Sequence, residues 1–270
     1  MTTDQSVDMA FIALTAKISR DRGFRCASYK DKCLRRRIAV RMRAHGVHTY
    51  GDYARVLDAV PHEYDLLIDA LTINVTKLFR NWETFAAIEK SVAPVLFARD
   101  ETRLRVWSAG CASGEEAYSL AILFHRYALA NRKRVERVHV VGTDIDRASL
   151  AAAEQGAFGE AAFADTPAEL RQLYFSPRSP HVVAPEVRAM VRFKRHDLLH
   201  EPAPEGQHLI TCRNVVIYFD RDSQEALFER FADALLPGGV LVLGKVETLL
   251  GAARARFAAI DGRQRIFRRL

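Results

Sequence analysis

Short apolar runs separated by amphipathic helical segments constrain the fold of residues 104–243 more than any other feature of the chain. The runs are Leu104–Trp107, Val138–Val141, Leu209–Cys212 and Val240–Leu243. Buried parallel strands have this appearance, because the helices that connect them cover both faces of the sheet. The pattern therefore predicts an α/β domain built on a parallel sheet.

Upstream of this region, the apolar residues recur at intervals of three and four. They include Phe11, Leu14, Ile18, Leu34, Ile38, Met42, Tyr53, Val56, Leu57, Leu66, Leu67, Ala70 and Leu71. This spacing places apolar side chains on one face of a helix. It predicts a small all-helical domain with its linker over residues 1–90, followed by the α/β domain over residues 91–270. Within the latter, β-like pieces interrupted by Pro177, Pro180 and Pro185 predict a small antiparallel β-subdomain at about residues 171–195.

Composition excludes several classes of protein. The 270 residues are 49% hydrophobic, which is enough for a large core. No apolar run approaches the roughly 20 residues of a membrane-spanning helix, so we expect no membrane insertion. The first residues are acidic and polar, unlike a signal peptide, so we expect a cytoplasmic protein. The cysteines, Cys26, Cys33, Cys111 and Cys212, form no CxxC pair, so we expect neither disulfides nor a metal site.

Positive charge is concentrated in one segment. The segment from Arg20 to Arg43 contains ten of the 40 Lys and Arg residues and two of the 33 Asp and Glu residues. Its net charge is therefore +8. Because the whole chain carries +7, the remainder is close to neutral. Such a segment suits an acidic partner, although a solvated basic helix face without a partner stays open as an alternative.

A glycine loop followed by two acids marks a candidate cofactor site. Gly110 and Gly114 follow the first apolar run, and Glu115 and Glu116 come next. The spacing is not that of a dinucleotide-binding loop, and the acids would repel a pyrophosphate but attract a cation. Asp144 stands at the end of the second predicted strand, where a carboxylate can accept both hydroxyls of a ribose. These features favour S-adenosylmethionine; the alternative is that the acids complement a helix dipole and Asp144 caps a helix.

Several segments together resemble the CheR family of chemotaxis receptor methyltransferases. They are Thr72–Arg80, Val106–Gly110, Gly114–Ser119, Gly142–Asp146, His196–Leu199 and Cys212–Asp220, and the resemblance runs from about Tyr29 to the C-terminus. It implies a helical domain followed by a Rossmann-like, S-adenosylmethionine-dependent methyltransferase domain that carries the β-subdomain. It also implies methylation of glutamate carboxylates in the cytoplasmic coiled coil of chemoreceptors, which yields glutamyl methyl esters and S-adenosylhomocysteine.

The resemblance also implies roles for individual residues. The implied cofactor contacts are Asn74, Thr76, Arg80, Glu116, Asp144, Asp197, Leu198, Asn214 and Val215. Among them, Glu116 would hold the amino group and Asp144 the ribose. On the basic helix, Arg36 and Arg43 would face the receptor. A carboxylate is already a nucleophile at neutral pH, so we expect no general base; Arg80 and Tyr218 are the candidates for orienting it.

Some positions depart from the family pattern. Leu78 replaces a Phe, His208 replaces an acid, and Gly244-Lys245-Val246-Glu247 replaces Gly-His-Ser-Glu. The turn at Ser176–Pro180 lacks the usual glycines, which leaves binding of a receptor pentapeptide open.

Two further function classes also stay open. One is a non-catalytic scaffold that binds S-adenosylmethionine, and the other is a methyltransferase acting on a nucleic acid or a small molecule. Only Phe24 and Tyr29 interleave the basic segment, so we expect no nucleic-acid partner, and we expect a monomer.

Overall fold

The computed structural model describes residues 3–72 and 75–270. It divides into two compact units, a helical unit of Met1–Ile73 with Tyr218–Ser223, and a sheet-containing unit of Asn74–Ile217 with Gln224–Leu270. Each unit has its own buried apolar core. No helix within the described ranges is long and apolar enough to cross a lipid bilayer.

The helical unit contains α1 (Thr3–Arg22), α2 (Asp31–Ala44), α3 (Tyr50–Ala59) and α4 (Glu63–Leu71). The predicted apolar stripes of α1 and α2 are confirmed, since Phe11, Leu14, Ile18, Leu34, Ile38 and Met42 are all buried. The stripe predicted on α4 is partly wrong, because Leu66 is 40% exposed. The inward face of α4 is instead set by Tyr64, Leu67 and Leu71, which are spaced by three and four residues and are buried.

The sheet-containing unit alternates strands and helices as predicted. Its elements are α5 (Trp82–Ser91), α6 (Ala93–Phe97), β1 (Leu104–Ala109), α7 (Glu115–Ala130), β2 (Val138–Asp144), α8 (Arg147–Gln155), β3 (Ala157–Phe158), α9 (Ala168–Tyr174), β4 (His181–Val182), α10 (Pro185–Ala189), β5 (Val191–Arg195), β6 (Gln207–Cys212), α11 (Arg221–Ala234), β7 (Leu235–Leu243), β8 (Phe257–Asp261) and β9 (Ile266–Arg269). The first residues of α11 belong to the helical unit. The predicted apolar runs are confirmed as β1, β2, β6 and β7.

The main sheet has seven strands in the order β5-β2-β1-β6-β7-β9-β8. The strands from β5 to β7 are parallel, and β9 and β8 are antiparallel additions at one edge. A separate antiparallel pair, β3 with β4, is the small second sheet. The chain leaves β1 on one side toward β2 and later returns on its other side as β6. The carboxyl ends of β1 and β6 therefore form a topological switch point, where open α/β sheets bind ligands.

The structure differs from the expectation for residues 190–193, which the sequence places in the small β-subdomain. Val191–Arg195 forms β5, the edge strand of the main sheet, parallel to β2. The ring of Phe193 explains this position, because it lies over Gly142 of β2; a Cβ built on Gly142 would come within 2.7 Å of Phe193 Cε1. The small sheet is thus formed by β3 and β4, without these residues.

Candidate functional site

The loop after β1 packs against the loop after β6. Gly110 has φ +78°, and a Cβ built on it would lie 2.5 Å from Val215 Cγ2, so only glycine fits here without displacing Val215. The backbone N–H groups of Gly110 and Cys111 donate to the carbonyl of Thr143 at 2.8 and 2.9 Å. These bonds tie the loop to the end of β2. The glycine-rich segment therefore brings the ends of β1, β2 and β6 together at the switch point.

Glu116 lies in the first turn of α7, and its carboxylate faces the ends of β1 and β6. Its Oε1 accepts hydrogen bonds from Ser108 Oγ at 2.8 Å and from Thr211 Oγ1 at 2.6 Å. Among the described residues, the hydrogen-bond contact of its Oε2 is a long one with Arg213 Nη1, at 3.4 Å. Because Oε1 already has two donors, Oε2 retains the acceptor capacity for a further cation. The neighbouring Glu115 accepts from Ser113 Oγ, and burial raises the pKa of Glu115.

Asp144 is buried at the end of β2, and both of its oxygens accept backbone N–H groups. Oδ2 accepts from Ala112 at 2.8 Å and Oδ1 from Asp146 at 3.0 Å. Burial raises the pKa of Asp144, and these backbone donors oppose the shift. The alternative that Asp144 caps the next helix is wrong, because the cap of α8 is Asp146, which accepts the N–H of Ala148 at 2.8 Å. Each oxygen of Asp144 keeps lone pairs for further donors.

The Asn214–Val215 loop is held by a carboxylate that the sequence analysis did not select. Glu247 Oε2 accepts the N–H groups of Asn214 at 3.0 Å and Gly244 at 2.6 Å, and its Oε1 accepts that of Val215 at 3.0 Å. Asn214 Oδ1 is buried and has no hydrogen-bond partner among the described residues. A buried amide oxygen without a hydrogen-bond partner is suited to accept a hydrogen bond from a bound ligand. The available sequence signal was the acid that ends the Gly244-Lys245-Val246-Glu247 segment after β7.

Asp197 and Leu198 form a turn after β5. The Asp197 carboxylate is engaged within this turn, where Oδ1 accepts the N–H of Leu199 at 2.9 Å and Oδ2 pairs with His200 Nδ1 at 2.9 Å. The N–H of His196 donates to the carbonyl of Asp144 at 2.9 Å. The turn is therefore attached to the end of β2, beside the predicted ribose acceptor.

Thr76 and Arg80 lie in the irregular segment before α5, with Arg80 in a turn, whereas Asn74 lies outside the described residues. Thr76 is half-buried, and Arg80 Nη1 donates to the carbonyl of Val75 at 2.9 Å. The backbone of this segment is anchored by Arg213, whose Nη2 donates to the carbonyl of Arg80 at 2.6 Å. Arg213 is a second residue that the sequence analysis did not select, although it belongs to the Cys212–Asp220 segment.

Tyr218, Arg36 and Arg43 belong to the helical unit. Tyr218 ends a 3-10 turn at Val216–Tyr218, and its carbonyl accepts the N–H of Lys30 at 2.9 Å. Arg36 and Arg43 are exposed on α2, whose opposite, buried face is formed by Leu34, Ile38 and Met42. One face of α2 therefore packs while another presents positive charge.

The residues at the switch point fit an S-adenosylmethionine molecule. Glu116 Oε2 can accept from an ammonium group, the two oxygens of Asp144 can accept from a ribose diol, and the unpartnered Asn214 Oδ1 can accept a further donor. Acids in place of a phosphate-binding loop exclude a pyrophosphate ligand. The fold and this set of acceptors define an S-adenosylmethionine-dependent methyltransferase.

Comparison with known proteins places the chain in a family. Residues 74–266 match the family described as "CheR methyltransferase, SAM binding domain", and residues 9–72 match "CheR methyltransferase, all-alpha domain". The chain belongs to the CheR methyltransferase family.

Three relatives are similar to this chain over most of their length. The Chemotaxis protein methyltransferase of Listeria innocua is 34% identical over 93% of this chain and 94% of its own. The protein of the same name from Klebsiella aerogenes is 32% identical over 92% of this chain and 86% of its own. The Chemotaxis protein methyltransferase of Borreliella burgdorferi is 29% identical over 85% of this chain and 84% of its own.

Proposed function

We propose that this methyltransferase transfers the methyl group of S-adenosylmethionine to glutamate side chains in the cytoplasmic coiled coil of chemoreceptors. The observation that carries the proposal is the match of both family domains, in order, over residues 9–72 and 74–266. The acceptors Glu116 and Asp144 at the switch point support it, because they suit a cationic donor that contains a ribose. On this proposal the protein acts as a cytoplasmic monomer.

In the proposed site, Glu116 holds the amino group of the donor and Asp144 holds its ribose. Asp197, Leu198, Asn214 and Val215 surround the adenine and methionyl parts. Asn74, Thr76 and Arg80 contribute from the segment before α5. When bound, S-adenosylmethionine supplies a methyl group on a positively charged sulfur. The cluster of acceptors at the ends of β1, β2 and β6 supports this assignment.

The chemistry asks little of the protein beyond positioning. A glutamate carboxylate is ionised at neutral pH, so its oxygen forms the ester bond without losing a proton and no general base is needed. On this proposal Arg80 and Tyr218 orient that carboxylate, and removal of water from it assists the transfer. A strong ion pair would weaken the nucleophile, and Arg80 already donates through Nη1 to the carbonyl of Val75.

A transfer assay tests the proposal. The protein is incubated with tritiated S-adenosylmethionine and receptor-bearing membranes, and methyl groups are released from the receptor by base. We expect base-labile label on the receptor, and at least a tenfold lower rate with Arg80→Ala or Tyr218→Phe. The matched control is Arg263→Ala in the turn between β8 and β9, which should keep the full rate.

Other outcomes would contradict the proposal. Binding of S-adenosylhomocysteine in a calorimeter without any receptor label would indicate a scaffold. Label on nucleic acid or a small molecule, but not on receptor glutamate, would indicate a different substrate.

A further inference from the structure

Arg213 is a buried cation at the centre of the candidate site. It directly follows β6, and its side chain is 3% exposed. Its guanidinium contacts Glu116 Oε2 through Nη1 at 3.4 Å, and through Nη2 it donates to the carbonyl of Arg80 at 2.6 Å. The same Nη2 lies 3.3 Å from Asn81 Oδ1. One planar group therefore bridges the start of α7 and the turn that precedes α5.

That turn has an unusual backbone. Phe79 and Asn81 have φ values of 51° and 60°, in the left-handed region that non-glycine residues rarely adopt. Such a backbone is strained, so the surrounding contacts must hold the conformation. The N–H of Phe79 donates to Ser119 Oγ at 2.8 Å, and that of Asn81 donates to Asp165 Oδ2 at 3.0 Å. Arg213 holds the carbonyl of Arg80 between these two anchors.

Electrostatic attraction alone does not account for Arg213. A cation beside Glu116 reduces the attraction of that carboxylate for a cationic donor, and burying a guanidinium is costly unless its donors are matched. What an arginine offers here is shape, since its fork can reach a carboxylate and a peptide carbonyl at the same time. A lysine would keep the charge but carry its donors on one nitrogen, without the planar fork.

We infer that Arg213 is a positioning residue for methyl transfer, which holds the Glu116 carboxylate and the Arg80 backbone in one fixed arrangement. Arg213 thereby couples Glu116, which holds the amino group of S-adenosylmethionine, to Arg80, which orients the substrate carboxylate. This inference rests on the roles proposed above for Glu116 and Arg80.

Arg213→Lys tests the inference because it preserves the charge and removes the fork. We expect the affinity for S-adenosylhomocysteine, measured by calorimetry, to fall about tenfold. The matched control is Arg137→Lys. Arg137 also donates through Nη2 to backbone carbonyls, of Arg99 at 2.6 Å and Glu101 at 2.5 Å. In both arginines Nε is buried without a partner among the described residues. The control should bind with unchanged affinity. Unchanged affinity in Arg213→Lys would overturn the inference.

A double-mutant cycle tests whether Arg213 acts through Arg80. At saturating donor and receptor, we expect Arg213→Lys to lower kcat about tenfold in the otherwise unaltered protein. In the Arg80→Ala background the same change should lower kcat less than twofold, because the residue it positions is gone. Equal effects in both backgrounds would mean a general structural role and would overturn the inference.

Asp165→Ala provides a second route if Arg213→Lys does not fold. It releases the N–H of Asn81 from a side chain that is 28% exposed and does not contact Glu116. It should lower kcat at least fivefold and leave the affinity for S-adenosylhomocysteine unchanged; an unaltered kcat would overturn the inference. An unaltered protein that neither binds the product nor methylates receptor would instead refute the proposed function itself.

Discussion

Glu247 accepts the backbone N–H of Asn214 on its Oε2 at 3.0 Å, across 33 residues of sequence. The same carboxylate accepts the N–H groups of Val215 and Gly244, and the residue is 3% exposed. Burial raises the pKa of Glu247, while the backbone donors oppose the shift. The carboxylate therefore joins the loops after β6 and β7 and sets the position of Asn214, whose Oδ1 lacks a partner among the described residues.

Glu247→Gln should weaken both stability and cofactor binding. An amide has only one acceptor oxygen, so at least one of these buried N–H groups loses its partner, at a cost of about 1–3 kcal/mol in the free energy of unfolding. The displaced loop should also lower the affinity for S-adenosylhomocysteine several-fold. Denaturant unfolding and calorimetry measure the two effects. Glu229→Gln on the surface of α11 is the control, and equal stability of both variants would contradict the prediction.

Gly110→Ala should be more harmful than Gly238→Ala, although both glycines have a positive φ. The two variants share the cost of a left-handed alanine, roughly 1 kcal/mol. At Gly110 the new Cβ would also lie 2.5 Å from Val215 Cγ2, whereas at Gly238 the nearest atom is the flexible Arg99 Nη1 at 3.7 Å. Overpacking adds about 1–3 kcal/mol. Unfolding measurements should show this difference, and only Gly110→Ala should bind S-adenosylhomocysteine less tightly; identical losses would refute the clash.

The sequence predicts the strands and acids of the site because these signals are local. The apolar runs of β1, β2, β6 and β7 are each continuous, Asp144 is the last residue of β2, and Glu116 lies in the first turn of the helix that follows β1. The expected arrangement of parallel strands then places both acids at one edge of the sheet. This reasoning needs no knowledge of which distant residues meet.

Other features depend on distant contacts and leave no local signal. The Oε1 of Glu116 is saturated by Ser108 and Thr211, which come from two different strands. Neither hydroxyl stands out in the sequence. The edge strand β5 is recognised as β-like but assigned to the small β-subdomain for another reason, since its buried Val191 is followed by half-buried or exposed residues and it lacks the long apolar run of a central strand. Edge strands are generally shorter and more polar than central strands.

The stability of the helical unit should depend on pH through Glu63. This side chain is fully buried and contacts Arg41, His45 and Tyr53. Burial alone would raise the pKa of Glu63, but the hydrogen bonds from these residues outweigh it and lower the pKa from 4.5 to about 2. A carboxyl with a lowered folded-state pKa stabilises the fold above its unfolded pKa, and this contribution is lost as the pH falls toward the folded value.

Glu63→Gln tests this dependence. The shift corresponds to about 3 kcal/mol at neutral pH. The free energy of unfolding of the unaltered protein should therefore exceed that of Glu63→Gln near pH 7, and the gap should narrow as the pH falls from about 5 to about 3. Glu136→Gln, at an exposed position, is the control. A gap that does not change with pH would show that the ionised carboxylate is not the source of the stability.

The basic face of α2 should act through screened, long-range attraction to an acidic receptor. Arg36 and Arg43 are exposed, and reversing both charges replaces attraction by repulsion. We expect Arg36→Glu with Arg43→Glu to raise the KM for receptor about tenfold at 50 mM salt and to leave the affinity for S-adenosylhomocysteine unchanged. The difference in KM from the unaltered protein should shrink at 500 mM salt, where the Debye length is only about 4 Å.

The control, Arg20→Glu with Arg55→Glu, makes the same change in net charge on α1 and α3, where the side chains are 71% and 77% exposed. If both pairs raised KM equally, total charge rather than the face of α2 would attract the receptor; if neither did, α2 would have no docking role.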